Sequence, residues 1–242
     1  MAGDREQRAR SFGGVADLYE RSRPEYPLEA VEWLTEGAQV VLDVGAGTGK
    51  LTRGLVAAGR DVLAVEPDTK MAARLRDAVP GVRMIVAPAE AIPVPDASYD
   101  AVVAGQAYHW FDPARALPEI ARVLRPGGRL GLVWNDRDDS VPWIAQLTAL
   151  LHAREEMQGH PRRTVEASGL FGPVDEAEFA HEQRLDRETL LALVASRSNV
   201  AIMDATRRDR LLAAAERLFE EAAQDGAVVM RYVTQCFRAA RR

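Results

Sequence analysis

The sequence of 242 residues has one cysteine, Cys236, and only four histidines. A single cysteine excludes an intrachain disulfide and leaves no cysteine cluster that could hold zinc. No apolar run approaches the roughly 18 residues that a membrane-spanning helix needs. The charged N-terminal segment lacks the apolar core of a signal peptide. These absences predict a protein of a reducing compartment, which we expect to be the cytoplasm, with no membrane partner and no bound metal.

Positive charge is also scarce, because 31 Lys and Arg stand against 36 Asp and Glu, a net charge of −5. A surface that binds nucleic acid is basic, so this balance argues against a nucleic-acid partner. Only two of the cations are lysines, Lys50 and Lys70. Such a strong preference for arginine is typical of GC-rich coding and indicates a bacterial source. The length favours one large domain over two full ones.

Short apolar runs alternate with helical patterns over much of the chain. We predict strands at 40–42, 62–65, 82–86, 99–104, 129–134, 174–182 and 228–234. We predict helices at 28–35, 48–58, 69–79, 113–124, 142–157, 186–195 and 207–223, with Thr69 as an N-cap and a stop at 125–128. Strands that alternate with helices are typical of a mostly parallel, doubly wound α/β sheet. The expected architecture is a Rossmann-like sheet of seven strands with helical cap elements.

Three glycines at alternate positions follow the first strand: Gly45, Gly47 and Gly49. Glycine adopts positive φ and lets backbone approach a ligand closely. A glycine-rich turn between a buried strand and a helix is typical of a nucleotide cradle in a doubly wound sheet.

The residues around these glycines exclude two common cradles. A dinucleotide fingerprint needs glycine at Lys50, and a P-loop needs glycine at Val44 and Ser or Thr at Leu51. Asp43 would repel a pyrophosphate but suits a ligand with an amine and a sulfonium, such as S-adenosylmethionine. Glu66, at the end of the second strand, could accept hydrogen bonds from both hydroxyls of an unphosphorylated ribose.

Taken in order, the motifs between residues 40 and 135 resemble those of class I S-adenosylmethionine-dependent methyltransferases. The segments that carry the resemblance are 43–49, 65–68 with Met71, 89–93, 98–100 and 124–128. Tyr19, 23–27 and 106–112 are similar to a small-molecule branch that includes trans-aconitate methyltransferase-like proteins. Many relatives carry Asp or Asn where this chain has Pro88, so the adenine amino group would need another acceptor, for which we expect Glu90.

The resemblance implies a binding site for S-adenosyl-L-methionine and for its product, S-adenosyl-L-homocysteine. The implied site residues are Asp43, Gly45, Ala46, Gly47, Gly49, Glu66, Pro67, Met71, Ala89, Glu90, Gln106 and Arg23. Asp43 would meet the amine of the cofactor and Arg23 its carboxylate. The alternatives are a tight turn for the glycines, a helix cap for Asp43, a core methionine at Met71 and an exposed N-terminal helix at Arg23.

Candidate catalytic residues are His109, which could accept a proton from the acceptor, and Tyr19, which could close over the site. His109 could equally hydrogen-bond within its own loop. Candidates for the acceptor pocket are Tyr108, Asn135 and Trp143. The other histidines are dispersed and offer no metal-ligand spacing: His152, His160 and His181.

The expected activity is therefore transfer of a methyl group to oxygen or carbon of a small molecule, for example a carboxylate or a phenol. The alternatives are a macromolecule-directed methyltransferase and a non-catalytic S-adenosylmethionine-binding protein. Residues 105–108 lack the Asn/Asp-Pro-Pro-Tyr/Phe motif of nucleic-acid amino methyltransferases. We expect one methyltransferase domain over 1–242, with a helical lead-in (1–38), a cofactor-binding core (39–135) and a segment that completes the sheet and caps the substrate (136–242). The oligomeric state stays open.

Overall fold

A computed structural model describes residues 22–151, 161–197, 200 and 202–242. Tyr19, His152 and His160, and the end of the helix predicted at 142–157, lie outside the described residues. The chain divides into two compact units. The larger unit contains residues 25–135, 161–179 and 234–242. The smaller unit contains the described residues of 22–24, 136–151 and 180–233.

Seven strands form one sheet in the order β3-β2-β1-β4-β5-β7-β6. The strands are β1 (Val40–Val44), β2 (Asp61–Val65), β3 (Arg83–Ile85), β4 (Tyr99–Gly105), β5 (Leu124–Arg137), β6 (Asp175–Asp186) and β7 (Ala227–Ala240). The strands β3, β2, β1, β4 and β5 are parallel neighbours. Backbone hydrogen bonds from Asp138 N to Arg231 O and from Arg241 N to Gly128 O make β7 antiparallel to β5. The predicted seven-stranded, mostly parallel α/β sheet is confirmed.

Helices connect or follow most of the strands. They are α1 (Leu28–Leu34), α2 (Lys50–Ala57), α3 (Thr69–Ala78), α4 (Pro113–Val123), α5 (Pro142–Leu150), α6 (Pro161–Ala167), α7 (Arg187–Ala195) and α8 (Ala205–Ala222). None of the described helices is long and apolar enough to cross a membrane. The predicted N-cap of α3 is wrong by one residue, because Thr69 is already helical. Asp68 has extended backbone and its carboxylate accepts the N–H groups of Lys70 and Met71.

The fifth strand begins earlier than its sequence pattern predicts. Arg125-Pro-Gly-Gly was expected to separate the helix from a strand at 129–134, but β5 runs from 124 to 137. Leu124 already pairs with Tyr99, and the register shifts before Ala101 pairs with Arg129. A Cβ on Gly128 would lie 3.0 Å from the carbonyl oxygen of Asp100. The glycine turn is therefore an irregularity within the strand rather than a break.

Both faces of the sheet in the larger unit are covered, as the doubly wound pattern requires. One face packs on α4 through alternate strand residues, among them Leu42, Val102, Leu130 and Leu132. The other face packs on α1 and α2 through Val41, Val103 and Val133. The carboxyl ends of β1, β2, β4 and β5 thus share one edge, where open α/β sheets bind their ligands. In the smaller unit, α5, α7 and α8 pack together with residues of β7.

Candidate cofactor and active site

The loop after β1 is held against the end of β2. The N–H groups of Gly45 and Ala46 both donate to the carbonyl oxygen of Val65, at 2.8 and 3.1 Å. All three loop glycines have positive φ, at 69° for Gly45, 58° for Gly47 and 93° for Gly49. L-residues with a Cβ are disfavoured in that conformation, so the alternate glycines are a backbone requirement.

The space beside the three glycines differs. A Cβ on Gly45 would lie 2.6 Å from the Cβ of Ala107, and one on Gly49 would lie 3.0 Å from the side chain of Leu75. A Cβ on Gly47 would meet no described atom within 4 Å. Gly45 and Gly49 therefore allow close packing within the protein, and no described atom fills the space beside Gly47.

Asp43 is fully buried at the end of β1. Its Oδ2 accepts a hydrogen bond of 2.6 Å from the hydroxyl of Thr52 on α2, and its Oδ1 has no hydrogen-bond partner among the described residues. Burial raises the pKa of Asp43 from 3.8 to about 7. The hydroxyl of Thr48 is likewise buried and has no partner in the described part of the chain. A buried acceptor without a donor is costly, so this pattern indicates a site for a polar ligand group.

Glu66 joins the glycine loop to the start of α3. Its Oε2 accepts the N–H of Gly47 at 2.8 Å and its Oε1 accepts the N–H of Asp68 at 2.9 Å. Burial raises the pKa of Glu66 to about 6, against the lowering effect of these two bonds. Each carboxylate oxygen can accept a second hydrogen bond, so a ligand with two neighbouring hydroxyl groups has acceptors here.

The residues expected around the adenine lie in the segments that follow β2 and β3. Met71 and Ala89 are both 4% exposed, and Pro67 is exposed. Glu90, expected to accept from the adenine amino group, accepts the N–H of Asp112 at 2.8 Å through Oε1. Its contact with adenine stays a prediction.

The end of β4 has an unusual backbone conformation. Gln106 has φ of 54°, which is uncommon for a residue other than glycine. Its N–H donates to Val133 O at 2.9 Å, and its side-chain Nε2 lies 3.3 Å from Asn135 O. A single turn of 3-10 helix, Tyr108–Trp110, follows and carries His109, whose ring centroid is 4.8 Å from that of Trp110. Strain of this kind is often found at functional sites.

Two of the three predicted acceptor residues are tied into the larger unit. Tyr108 is 6% exposed, its ring packs edge-on against Phe111, and burial raises the pKa of its hydroxyl to about 12. The amide of Asn135 donates from Nδ2 to Glu25 O at 3.0 Å and accepts at Oδ1 from the hydroxyl of Thr234 at 2.6 Å. Contact of either residue with an acceptor stays a prediction.

Two predicted site residues lie in the smaller unit. Trp143 packs against the hydrophobic cluster of that unit. Arg23 donates from Nε to the hydroxyl of Ser196 at 3.2 Å. Their assignment to the acceptor and the cofactor, respectively, stays a prediction.

Sequence reasoning missed three residues that shape the larger unit near this edge. Thr52 holds Asp43, and a polar residue between the buried Leu51 and Leu55 on an amphipathic helix was the available signal. Tyr26 approaches Gly105 so closely that a Cβ there would lie 2.7 Å from its hydroxyl. Tyr26 belongs to the segment 23–27 that resembles the small-molecule branch, but no pattern gave it a role, and the sequence carried no comparable signal for Thr234.

The residues present fit S-adenosylmethionine. Oδ1 of Asp43, which has no partner among the described residues, matches an ammonium group. The acceptors on Glu66 match ribose hydroxyls, and the space at Gly47 admits a ligand beside the backbone. Within the described ranges, no group of three or more His, Cys, Asp or Glu residues could hold a metal ion.

Comparison with known proteins agrees with this fit. Residues 42–132 match the family described as "Methyltransferase domain". An uncharacterised methyltransferase of Mycobacterium tuberculosis is 43% identical over 244 residues, 99% of both chains. A solved structure from Anaeromyxobacter dehalogenans, provisionally described as a type II methyltransferase, is 30% identical with a TM-score of 0.64 and covers 91% of this chain and 97% of its own.

About half of the chain is similar to a relative whose activity is named. The malonyl-acyl-carrier-protein O-methyltransferase of Methylococcus capsulatus is 38% identical over 125 residues, 49% of this chain and 45% of the relative. The full-length relative, the matching fold and the fit of the glycine loop lead to one conclusion: the chain belongs to the class I S-adenosylmethionine-dependent methyltransferases, which use that cofactor and release S-adenosylhomocysteine.

Proposed function

We propose that this enzyme methylates oxygen or carbon of a small-molecule acceptor and that its cofactor lies at the carboxyl edge of β1, β2 and β4. The observation that carries the proposal is the buried Oδ1 of Asp43, which lacks a donor among the described residues and belongs to the same loop region as the open Gly47. The net charge of −5 and the partial similarity to a malonyl-acyl-carrier-protein O-methyltransferase support an acceptor group that is small. In this proposal both units serve a single methyltransferase domain.

Bound S-adenosylmethionine supplies an electrophilic methyl group on a sulfonium. Asp43 accepts from the ammonium group, while Thr52 holds the other carboxylate oxygen and sets its orientation. Glu66 accepts from the ribose hydroxyls, and its bonds to Gly47 and Asp68 fix its two oxygens. Met71 and Ala89 provide the apolar surface for the adenine.

Methyl transfer is an in-line displacement, so the protein has to hold the nucleophilic atom about 3 Å from the methyl carbon and exclude water. Gln106 and the short helix after β4 carry the residues that shape the acceptor side. His109 removes the proton from an acceptor that is protonated at its nucleophilic atom; an acceptor that reacts as an anion needs no base.

Calorimetry with S-adenosylhomocysteine tests the cofactor site. Glu66→Ala removes two loop hydrogen bonds and the ribose acceptors, so its affinity should fall at least about tenfold. Asp61→Asn is the matched control, because Asp61 is an exposed residue at the other end of the same strand, paired with Arg83. Equal affinities for the two variants, with both folded, would show that the ribose lies elsewhere. A screen of small acids and phenols for S-adenosylhomocysteine release tests the acceptor class.

A further inference from the structure

A tryptophan of β5 has a buried indole N–H that lacks an acceptor. Trp134 is 4% exposed, and its Nε1 has no hydrogen-bond partner among the described residues. The indole nitrogen can only donate, so only an acceptor atom can satisfy it. Because buried donors are nearly always paired in native proteins, an exception of this kind indicates a partner from outside the chain.

The hydroxyl of Tyr108 is in the same situation. Tyr108 is 6% exposed, and by distance and angle its hydroxyl has no hydrogen-bond partner in the described part of the chain. Burial raises the pKa of this hydroxyl to about 12, although the hydroxyl of Thr164 on α6 opposes the increase. Tyr108 therefore keeps its proton at neutral pH and can donate it in a hydrogen bond. The rings of Tyr108 and Trp134 belong to one hydrophobic cluster of the larger unit.

Both donors lie at the edge of the sheet where the cofactor is proposed to bind. The strand β4 pairs with β5 as far as Gly105 and Val133, and the N–H of Gln106 then donates to Val133 O. Trp134 is the next residue of β5, and Tyr108 begins the turn of 3-10 helix that follows β4. Two neighbouring strands thus carry the two donors at the level where the pairing of the strands ends.

Aromatic rings connect this place with the glycine loop. A Cβ on Gly45 would lie 3.4 Å from two atoms of the Phe111 ring. The ring of Tyr108 packs edge-on against Phe111, with centroids 5.9 Å apart, and Trp134 packs in the same way against Phe237 at 5.7 Å. The two donors therefore have apolar, aromatic surroundings that extend to the loop of the proposed cofactor site.

The chemistry of the donors selects the kind of ligand. Neither Trp134 nor Tyr108 carries a charge, and burial of a carboxylate among hydrophobic residues is costly unless a cation pairs with it. A carbonyl oxygen has two lone pairs, so it can accept a hydrogen bond from each donor without bringing a charge into the cluster. A flat ring attached to that carbonyl suits packing against the faces and edges of aromatic side chains.

We infer that the indole N–H of Trp134 and the hydroxyl of Tyr108 bind the carbonyl oxygen of the methyl acceptor, which makes the acceptor an uncharged aromatic carbonyl compound. The inference rests on the proposed function, because it assigns the bound compound to the acceptor side of that reaction. The two donors hold one oxygen of the acceptor and so orient its nucleophilic atom.

Calorimetry on the full-length protein, with and without saturating S-adenosylhomocysteine, tests this site. The first probe is para-hydroxyacetophenone. The second is para-ethylphenol, which has a methylene group in place of the carbonyl, and the third is the anion para-hydroxybenzoate. We expect para-hydroxyacetophenone to bind at least about fivefold more tightly than either of the other probes.

Two variants remove the donors one at a time. Tyr108→Phe removes only a hydroxyl group, and Trp134→Phe removes the indole N–H but keeps an aromatic ring. Each should weaken the binding of para-hydroxyacetophenone at least about fivefold with affinity for S-adenosylhomocysteine unchanged. Tyr108→Phe should also leave the affinity for para-ethylphenol and the midpoint of thermal unfolding undiminished, because it breaks no hydrogen bond of the unliganded protein.

Matched control variants carry the same substitutions elsewhere in the larger unit. Tyr99→Phe changes a tyrosine that is buried at the opposite end of β4. Trp33→Phe changes a tryptophan of α1 that packs against the cluster on the other face of the sheet. Both controls should bind para-hydroxyacetophenone like the unaltered protein.

The outcomes separate this site from the proposed cofactor site. Equal binding, or no binding, of para-hydroxyacetophenone and para-ethylphenol would overturn the carbonyl site, and so would tighter binding of para-hydroxybenzoate. Equal effects of Tyr108→Phe and Tyr99→Phe, or a lower unfolding midpoint for Tyr108→Phe, would also overturn it. Tyr108→Phe keeps its ring and covers the case in which Trp134→Phe fails to fold. Absence of S-adenosylhomocysteine binding, with selectivity for the carbonyl retained, would instead overturn the proposed function.

Discussion

The hydroxyl of Thr234 donates to Oδ1 of Asn135 across the antiparallel pair β5–β7, at 2.6 Å, with both side chains buried. The same Asn135 amide donates to Glu25 O at 3.0 Å, and the Asn135 backbone carbonyl accepts from the side chain of Gln106. One asparagine at the carboxyl end of β5 therefore joins two strands, the segment before α1 and the residue after β4. The amide of Asn135 therefore has a structural role that does not depend on contact with an acceptor.

Replacing Thr234 with valine should test that task. Val has the same shape but no hydroxyl, so Oδ1 of Asn135 would be left buried without its donor. The free energy of unfolding should fall by about 1–3 kcal/mol, measured by urea denaturation. Thr234→Ser keeps the hydroxyl and should recover most of the loss. A serine variant as unstable as the valine variant would instead attribute the effect to packing.

The two carboxyl groups of the proposed cofactor site, those of Asp43 and Glu66, predict a pH dependence of cofactor binding. Burial raises the pKa of Asp43 to about 7 and that of Glu66 to about 6. In the proposed site, both groups would bind the cofactor as carboxylates. Affinity for S-adenosylhomocysteine should therefore increase as pH rises from about 5.5 to 8, with release of protons on binding. Calorimetry in two buffers of different ionisation enthalpy measures that release. Affinity independent of pH over this range would show that neither carboxylate faces the ligand.

Asp43 also makes the stability of the unliganded protein depend on pH, and this dependence runs in the opposite direction to that of cofactor affinity. Folded Asp43 holds its proton up to a pH of about 7, whereas the unfolded chain releases it near 3.8. The folded state thus binds more protons between these values, and stability should decrease as pH rises from about 4 to 7. Asp43→Asn should reduce this slope and weaken S-adenosylhomocysteine binding at least about tenfold. Urea denaturation at several pH values provides the measurement, and an unchanged slope would contradict the prediction.

Alanine substitutions at Gly47 and Gly45 should separate the effect of backbone strain on stability from the effect of ligand contact on cofactor affinity. Gly47→Ala carries about 1–2 kcal/mol of backbone strain and puts a methyl group into the ligand space, so cofactor affinity should fall with little further loss of stability. Gly45→Ala adds a clash with Ala107 and should be much less stable. Gly59→Ala is the control, because Gly59 has φ of 75° and open surroundings away from the site. Equal cofactor affinities for Gly47→Ala and Gly59→Ala would show that the cradle lies elsewhere.

Substitution of His109 should distinguish a base from a loop residue. For an acceptor protonated at its nucleophilic atom, His109→Ala should lower kcat by about 10²- to 10⁴-fold with S-adenosylhomocysteine affinity unchanged. His109→Asn retains a side chain that can hydrogen-bond within the loop but cannot act as a base near neutral pH. A retained kcat in the asparagine variant would assign His109 to the loop.

Predictions that depend on local pattern agreed best with the structure. Gly45, Gly47 and Gly49 have the positive φ values for which alternate glycines are suited, and the apolar runs before them form buried parallel strands. Errors arose where local signals compete. Asp68 rather than Thr69 caps α3, and the turn at 125–128 is absorbed into β5, because strand pairing with β4 outweighs a local stop signal.

The partners of the site residues could not be predicted in the same way. Thr52 lies nine positions from Asp43, and Thr234 lies 99 positions from Asn135. Pairings of this kind depend on which faces of which elements meet. No periodicity within one segment contains that information.

The alternation of strands and helices predicted the fold class, and the glycine loop with the family resemblance of residues 40–135 predicted the cofactor. The scarcity of cysteine and positive charge only excluded other classes of protein. These features act over a few residues, through backbone conformation, hydrophobic burial and charge. Only the tertiary structure decided which partners the predicted site residues have. It left Oδ1 of Asp43 without a donor among the described residues, and it used the amide of Asn135 to join strands. Packing between elements that are distant in the sequence brings these groups together. The free energy that stabilises this arrangement comes from the whole core.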